Sequence, residues 1–224
     1  MSWNGGPGLP AAVLFGPPAA GKSTQARLIA ERFGLERVST GNLIRAEILA
    51  GTALGRSLEG DITAGRYAPD ETAAELVARR LAAIEESRGA VFEGYPRTAI
   101  QAEQALKLFE KLGFRVVAVE LRIAYNELQQ RILGRRECAS CSAVYNVDLN
   151  PPKRSETCDA CGAGLVARPE DRVEVIAKRL RVYEQQTLPV CEVFRRRGLR
   201  IHPVEGGGAP EQVSARLFAL VEAS

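Results

Sequence analysis

Residues 11–15, Ala11-Ala12-Val13-Leu14-Phe15, form an unbroken apolar run, the pattern of a strand buried on both faces. Residues 22–33 then repeat apolar side chains at helical spacing, so strand passes to helix across the glycine-containing stretch 16–21. Short apolar runs return at 37–38, 90–92, 116–121 and 199–203, and the stretches between them, 72–84 and 100–112 among them, carry the helical period. This alternation predicts a parallel sheet with helices on both faces. Two segments break it. Residues 42–67 read as helical throughout, and residues 137–168 are rich in Cys, Pro, Asp and Gly; both are expected as insertions over the ligand-binding edge of the sheet. Residues 169–197 predict a long helix bent near Pro189, and 211–221 a closing helix.

A chain of 224 residues supports one core with insertions better than two independent domains. Its 46% hydrophobic and 25% charged content excludes a disordered chain. The net charge of +3 is small and no basic stretch carries interleaved aromatics, so neither nucleic acid nor a membrane surface is implied as a partner. The Gly/Pro-rich leader 1–10 holds no Lys or Arg, and the apolar run after it is closed by Gly16, Pro17 and Pro18. That fits neither a signal peptide nor a membrane span, and a cytoplasmic location is expected. Lysine occurs only at Lys22, Lys107, Lys111, Lys153 and Lys178. Arginine therefore supplies most of the positive charge, and its planar fork suits phosphate oxygens.

Gly16-Pro17-Pro18-Ala19-Ala20-Gly21-Lys22-Ser23 fits the phosphate-cradling pattern G-x-x-x-x-G-K-S/T between a strand and a helix. Glycines let successive backbone N–H groups turn inward toward phosphate oxygens, and the helix that starts there adds the positive end of its dipole. Lys22 is placed to reach the β and γ phosphates of a nucleoside triphosphate. The loop alone does not name the acceptor, since hydrolases, motors and kinases share it. Ser39-Thr40-Gly41-Asn42-Leu43-Ile44-Arg45 follows the second strand. Phe92-Glu93-Gly94-Tyr95-Pro96-Arg97-Thr98 follows the third, with Gln101 four residues after Arg97. Each cluster puts an arginine beyond the carboxyl end of a strand, where ligands bind in open α/β sheets.

With Thr24-Gln25-Ala26 after the loop, these motifs resemble those of the adenylate kinase family, in order and at its spacing from about Val13 onward. The resemblance implies a P-loop NTPase fold of three layers, α/β/α, with a five-stranded parallel sheet, a helical insertion that binds the nucleoside monophosphate, and a lid. Its domain limits would be core 1–38, insertion 39–68, core 69–134, lid 135–169 and core 170–224. It further implies Mg²⁺-dependent phosphoryl transfer from ATP to AMP. Carried over residue by residue, Ala19, Ala20, Gly21, Lys22, Ser23, Thr24, Arg131, Arg135, Val144, Tyr145 and Gly208 would bind ATP. Thr40, Arg45, Arg66, Tyr67, Ala68, Gly94, Tyr95, Pro96, Arg97 and Gln101 would bind AMP. Arg168 and Arg179 would bridge both nucleotides, Lys22, Arg97, Arg135, Arg168 and Arg179 would be catalytic, and Glu93 would hold Mg²⁺ through water. The family prior is a monomer. This chain departs from the family at Ala19 (usually Gly), Ser23 (Gly), Asn42 (Asp) and Glu93 (Asp).

An acceptor phosphate is already an anion at neutral pH, so the reaction needs no general base. The only histidine, His202, falls in an expected core strand and reads as structural. The chemistry instead asks for cations that align two phosphates and stabilise charge on the equatorial oxygens, with water kept out.

Cys138-x-x-Cys141 and Cys158-x-x-Cys161, sixteen residues apart, match a structural tetrahedral zinc site. Two disulfides or free thiols are the poorer alternatives for a cytoplasmic chain. Cys191 is left over as a buried helix residue. Two other functions stay open at this point: a related monophosphate kinase with different base or donor preference, and a catalytically weakened P-loop protein that uses its zinc ribbon for contact.

Overall fold

In the computed structural model of the chain the described residues are 8–84 and 88–223; the first seven residues of the leader lie outside them. The apolar runs become the strands β1 (Leu9–Phe15), β2 (Glu36–Ser39), β3 (Ala90–Glu93) and β4 (Phe114–Arg122), joined late in the chain by β8 (Ile201–Glu205). All pair in parallel, in the order β2-β3-β1-β4-β8. The run at β1 has no polar alternation because both its faces are buried. Ala11, Val13 and Phe15 join Phe92, Phe109, Val190 and Phe194 on one side, while Ala12 and Leu14 join Ile29, Val119 and Leu217 on the other. The helices α4 (Asp70–Ala82), α5 (Ala99–Lys111) and α8 (Leu188–Arg196) cover the first face, and α1 (Lys22–Phe33) and α9 (Pro210–Glu222) the second.

The two expected insertions differ in kind. The segment 42–67 is mostly a helix pair, α2 (Thr40–Leu49) and α3 (Ala53–Thr63), with 64–67 leaving the helix; Ile44 and Leu58 of the pair cluster with Ala68 and with Leu76 of α4. The cysteine-rich segment follows α6 (Tyr125–Leu133) and holds a sheet the sequence pattern did not announce. Its strands are β5 (Arg135–Cys138), β6 (Val144–Asn146) and β7 (Leu165–Val166), antiparallel with β5 in the centre. Two- and three-residue strands are too short to show a period of two.

The bend expected near Pro189 is a π-helical turn, Tyr183–Thr187, between α7 (Val173–Val182) and α8. Pro189 has no N–H to donate back along the helix, so the ladder is interrupted just before it. That turn carries Thr187 to the sheet edge, where its hydroxyl donates to the Arg97 carbonyl at 3.0 Å and meets the Tyr67 hydroxyl at 3.0 Å.

Between β1 and α1 the glycine-containing loop closes with Gly21 at φ 93° as the residue before the helix. Ala19 is also left-handed, at φ 61°, a conformation in which a Cβ costs about 1–2 kcal/mol. Ala19→Gly is therefore expected to stabilise the protein by about 0.5–1 kcal/mol after the glycine's larger unfolded-state entropy is set against the relief. A higher urea midpoint at unchanged slope would show it, and an unchanged or lower midpoint would refute it.

Candidate functional site

The carboxyl ends of β1, β2 and β3, the helix pair and the short-stranded sheet enclose a cavity of about 780 Å³, within the size range of small-molecule sites. Local chain geometry aims the motif residues into it. Ser39 caps α2 by accepting from the Asn42 N–H, which starts the helix that carries Arg45. Thr98 caps α5 by accepting from the Gln101 N–H at 3.1 Å. The Gln101 side chain turns back to accept from the Arg97 N–H at 2.8 Å and donates to Asp70 at 2.8 Å. The spacing from Arg97 to Gln101 thus fixes a helix start and an arginine together.

Eight basic residues line the cavity: Lys22, Arg45, Arg66, Arg97, Arg131, Arg135, Arg168 and Arg179. Lys22 donates to the carbonyls of Gly16 and Pro17 at 2.7 and 2.6 Å. Burial is the main force pulling its pKa down to about 7, with Arg97 adding to it. Arg97 donates to the Gly94 carbonyl at 2.7 Å and lies over the Tyr67 ring, 4.7 Å from its centroid. Arg131 donates to the Gly206 carbonyl at 3.0 Å. Arg135 and Arg179 share Asp171. Arg168 pairs with Glu137, and Arg45 lies 3.3 Å from Glu137 and 3.7 Å from Glu170. Burial works to raise the Asp171 carboxyl, but Arg135, Arg179 and Arg168 outweigh it and hold the pKa below the usual carboxylate range.

Nearly every residue expected from the sequence lines this one cavity. The loop residues Ala19, Ala20, Gly21, Ser23 and Thr24 form its floor, and Val144, Tyr145 and Gly208 one wall. Thr40, Arg66, Tyr67, Ala68, Gly94, Pro96 and Gln101 form the opposite side, with the Arg66 side chain itself turned out to Asp61. Tyr95 is the exception. It is 2% exposed, packs in the core beneath the site and does not line the cavity; it follows the left-handed Gly94, φ 70°, in the turn after β3. Glu93 does line it, yet its carboxylate is already bound by Arg37 from β2. Burial pushes Glu93 up, and Arg37 with the hydroxyls of Ser23 and Ser39 more than reverses that.

Sequence reasoning missed Arg37, Asp70, Glu137, Glu170, Asp171 and Thr187. None sits in a motif that names a function. A usable signal was that acids in a segment crowded with arginines must neutralise some of them.

The four cysteines converge as their spacing required. Their sulfur atoms all lie within 4.8 Å of one another, with Cys138–Cys161, Cys141–Cys158 and Cys141–Cys161 at 3.4–3.5 Å. A disulfide would need about 2.05 Å, whereas thiolates about 2.3 Å from one zinc stand about 3.8 Å apart. The two turns are built alike. Each first cysteine's N–H bonds the carbonyl five residues on, Ala143 or Ala163, and its own carbonyl accepts from Ser142 or Gly162, both left-handed at φ 57° and 75°. Tyr145 packs beside them, its hydroxyl 3.6 Å from Cys158 and accepting from the Asp159 N–H at 2.9 Å. Cys191 is buried in α8, away from the cluster, and His202 lies in β8 outside the cavity.

The chain is also similar to known proteins along most of its length. The family profile described as adenylate kinase matches residues 14–199. Among curated relatives, the adenylate kinase of Symbiobacterium thermophilum is 39% identical over 213 residues, 95% of this chain and 98% of its own length. That of Citrifermentans bemidjiense is 38% identical, covering 94% and 99%, and that of Pyrococcus abyssi 37%, covering 94% of each.

With Lys22 depressed to about 7, a good part of it is neutral near pH 8 in the free protein. A triphosphate docked on the loop favours the ammonium form, so binding should draw protons from solution between about pH 7 and 10. Titration calorimetry of ATP in buffers of different ionisation enthalpy is expected to show net proton uptake at pH 8 that fades near pH 6, and a heat independent of buffer would contradict it.

Proposed function

Because this chain belongs to the adenylate kinase family and is a phosphotransferase acting between ATP and AMP, we propose that the single cavity holds both nucleotides at once, with the arginine ring between them. The observation that carries this reading is the convergence of Lys22, Arg97, Arg135, Arg168 and Arg179 on one enclosed space beside the glycine loop.

In this reading the loop from Ala19 to Thr24 cradles the ATP phosphates through its N–H groups, and Lys22 leaves the Gly16 and Pro17 carbonyls for the β and γ phosphates. Arg131, Val144, Tyr145 and Gly208 receive the adenosine of ATP. AMP lies opposite, its phosphate on Arg45 and Arg97 and its base near Thr40, Gln101 and the backbone of Arg66, Tyr67 and Ala68. The terminal phosphoryl group then passes between two oxygens already held in line, its equatorial charge met by Arg135, Arg168 and Arg179. No side chain is asked to remove a proton. Helix pair and lid, covering residues 39–68 and 135–169, close over the two nucleotides and exclude water as a rival acceptor.

Adenylate kinases use Mg²⁺ with ATP. The Ser23 hydroxyl and the Glu93 carboxylate give hard oxygen donors at the foot of the loop. Bound there, the metal neutralises charge on the triphosphate. Arg37 on Glu93 suits an indirect, water-mediated contact better than a direct one.

The four cysteines fit a structural zinc. They supply four sulfur donors at tetrahedral spacing, and the lid core is otherwise Leu165, Ala143, Tyr145 and Ala163. Binding of order 10 kcal/mol would replace the apolar core that this segment lacks. Among the described residues no helix is long and apolar enough to cross a membrane; a soluble cytoplasmic monomer is the proposed state.

The test is a nucleotide panel on metal-replete protein with zinc measured on the same sample. ADP should form from ATP and AMP, with AMP outperforming CMP, UMP and GMP, and zinc should approach one per chain. Lys22→Met and Arg97→Ala should each lower the rate by roughly a thousandfold or more with the circular dichroism spectrum unchanged. Absence of AMP-dependent ATP consumption in folded protein would remove the reading.

A further inference from the structure

Arg97 is held differently from the other arginines of the cavity. Arg45, Arg66, Arg131, Arg135, Arg168 and Arg179 each pair with a carboxylate, whereas no acid joins Arg97 in the ion pairs of the described residues. Its contacts are with neutral groups. The backbone N–H donates to the Gln101 side chain at 2.8 Å, Nε donates to the Gly94 carbonyl at 2.7 Å, and the guanidinium carbon lies 4.7 Å from the centroid of the Tyr67 ring. The Tyr67 hydroxyl meets the Thr187 hydroxyl at 3.0 Å, and Thr187 donates to the Arg97 carbonyl at 3.0 Å. A threonine hydroxyl has one hydrogen, so Tyr67 is the donor in the first of these bonds. Tyr67 thereby reaches both ends of Arg97, its ring on the side chain and its hydroxyl, through Thr187, on the backbone. Gly94 leaves the room this requires, since a Cβ there would stand 2.6 Å from one Arg97 Nη.

We propose that Tyr67 is the positioning residue for Arg97: its ring face orients the guanidinium toward the AMP phosphate and stabilises the positive charge without offering an acceptor that competes with phosphate oxygens. This rests on the assignment of Arg97 to that phosphate made above. A carboxylate partner takes the same N–H donors that a phosphate needs. An aromatic ring instead attracts the cation through the negative face of its quadrupole, and the N–H donors stay available at the guanidinium edge. In the hydrogen bonds of the described residues the Arg97 side chain commits only its Nε, to Gly94. The hydroxyl bond to Thr187 fixes where the ring sits, and the ring fixes where the guanidinium sits.

Tyr67→Phe keeps the ring and removes the hydroxyl, whereas Tyr67→Leu removes the ring and keeps an apolar side chain. In protein with an unchanged circular dichroism spectrum, Tyr67→Leu should lower kcat/KM for AMP by roughly threefold to thirtyfold, and Tyr67→Phe should stay within about twofold of the wild type. The ATP KM should stay within about twofold in both variants, because the lost contact serves the AMP side alone. Should Tyr67→Leu fold poorly, Tyr67→Met is expected to show the same split. A ring that acts through Arg97 has nothing to act on once Arg97 is gone. Adding Tyr67→Leu to Arg97→Ala should therefore change kcat/KM for AMP by less than about twofold. The proposal is overturned by an unchanged kcat/KM in Tyr67→Leu, by an equal loss in Tyr67→Phe, by a matching rise in the ATP KM, or by a full second loss in the double variant. Arg97→Ala by itself separates the two layers. If it leaves kcat/KM for AMP unchanged, the phosphate assignment has failed, and if it lowers it while Tyr67→Leu does not, positioning by Tyr67 alone has failed.

Discussion

Cations crowded around one cavity repel each other and lose their hydration, and nothing in the fold would hold them there without opposite charge. Asp171, Glu137, Glu170 and Glu93 supply that charge. Each acid serves more than one basic group or ties two elements. Asp171 joins Arg135 of β5 to Arg179 of α7, Glu137 joins lid to helix pair, and Glu93 joins β3 to β2 through Arg37. The site is thus an electrostatic cage whose cations exceed its anions, preorganised for an incoming polyanion. Burial is the main cause that pulls Lys22 down to about 7 and Arg45 down to about 10, with Arg97 adding to the first and Arg168 to the second.

The architecture beneath that cage was legible because its signals are local and redundant. β1 needs both faces apolar, and five consecutive apolar residues from Ala11 said so. Gly16, Gly21 and Lys22 fix loop, helix start and phosphate cradle in eight residues. The Arg97 to Gln101 spacing is at once a helix cap and a site. What the sequence did not disclose depends on long-range pairing. Arg37 meets Glu93 across 56 residues and Arg135 meets Asp171 across 36, and no periodicity links such partners. The inward turn of the Tyr95 side chain went unread for a related reason, since motif membership does not say which neighbour faces the core. The lid's sheet stayed hidden because its strands are too short to carry a pattern, although the cysteine spacing announced what holds it.

Two unlike insertions serve one requirement. The helix pair packs Ile44 and Leu58 against Leu76 of α4, whereas the lid has almost no apolar core and brings four sulfurs together. Both stand at the sheet edge and line the cavity, the place from which closure against water would have to come. The π-helical turn before Pro189 adds a fixed point between them, with Thr187 anchoring the Arg97 backbone to Tyr67.

The central claim is that one cation-lined cavity receives two nucleotides with their phosphates facing each other. A crystal structure of the protein grown with ATP, AMP and a non-reactive metal substitute for Mg²⁺ tests it most directly. The account predicts the terminal phosphate of ATP and the phosphate of AMP on opposite sides of Arg97, Arg135, Arg168 and Arg179, with Lys22 moved off the Gly16 carbonyl. Phosphates bound elsewhere, or those guanidinium groups still paired with Glu137 and Asp171 while both nucleotides are in place, would contradict it.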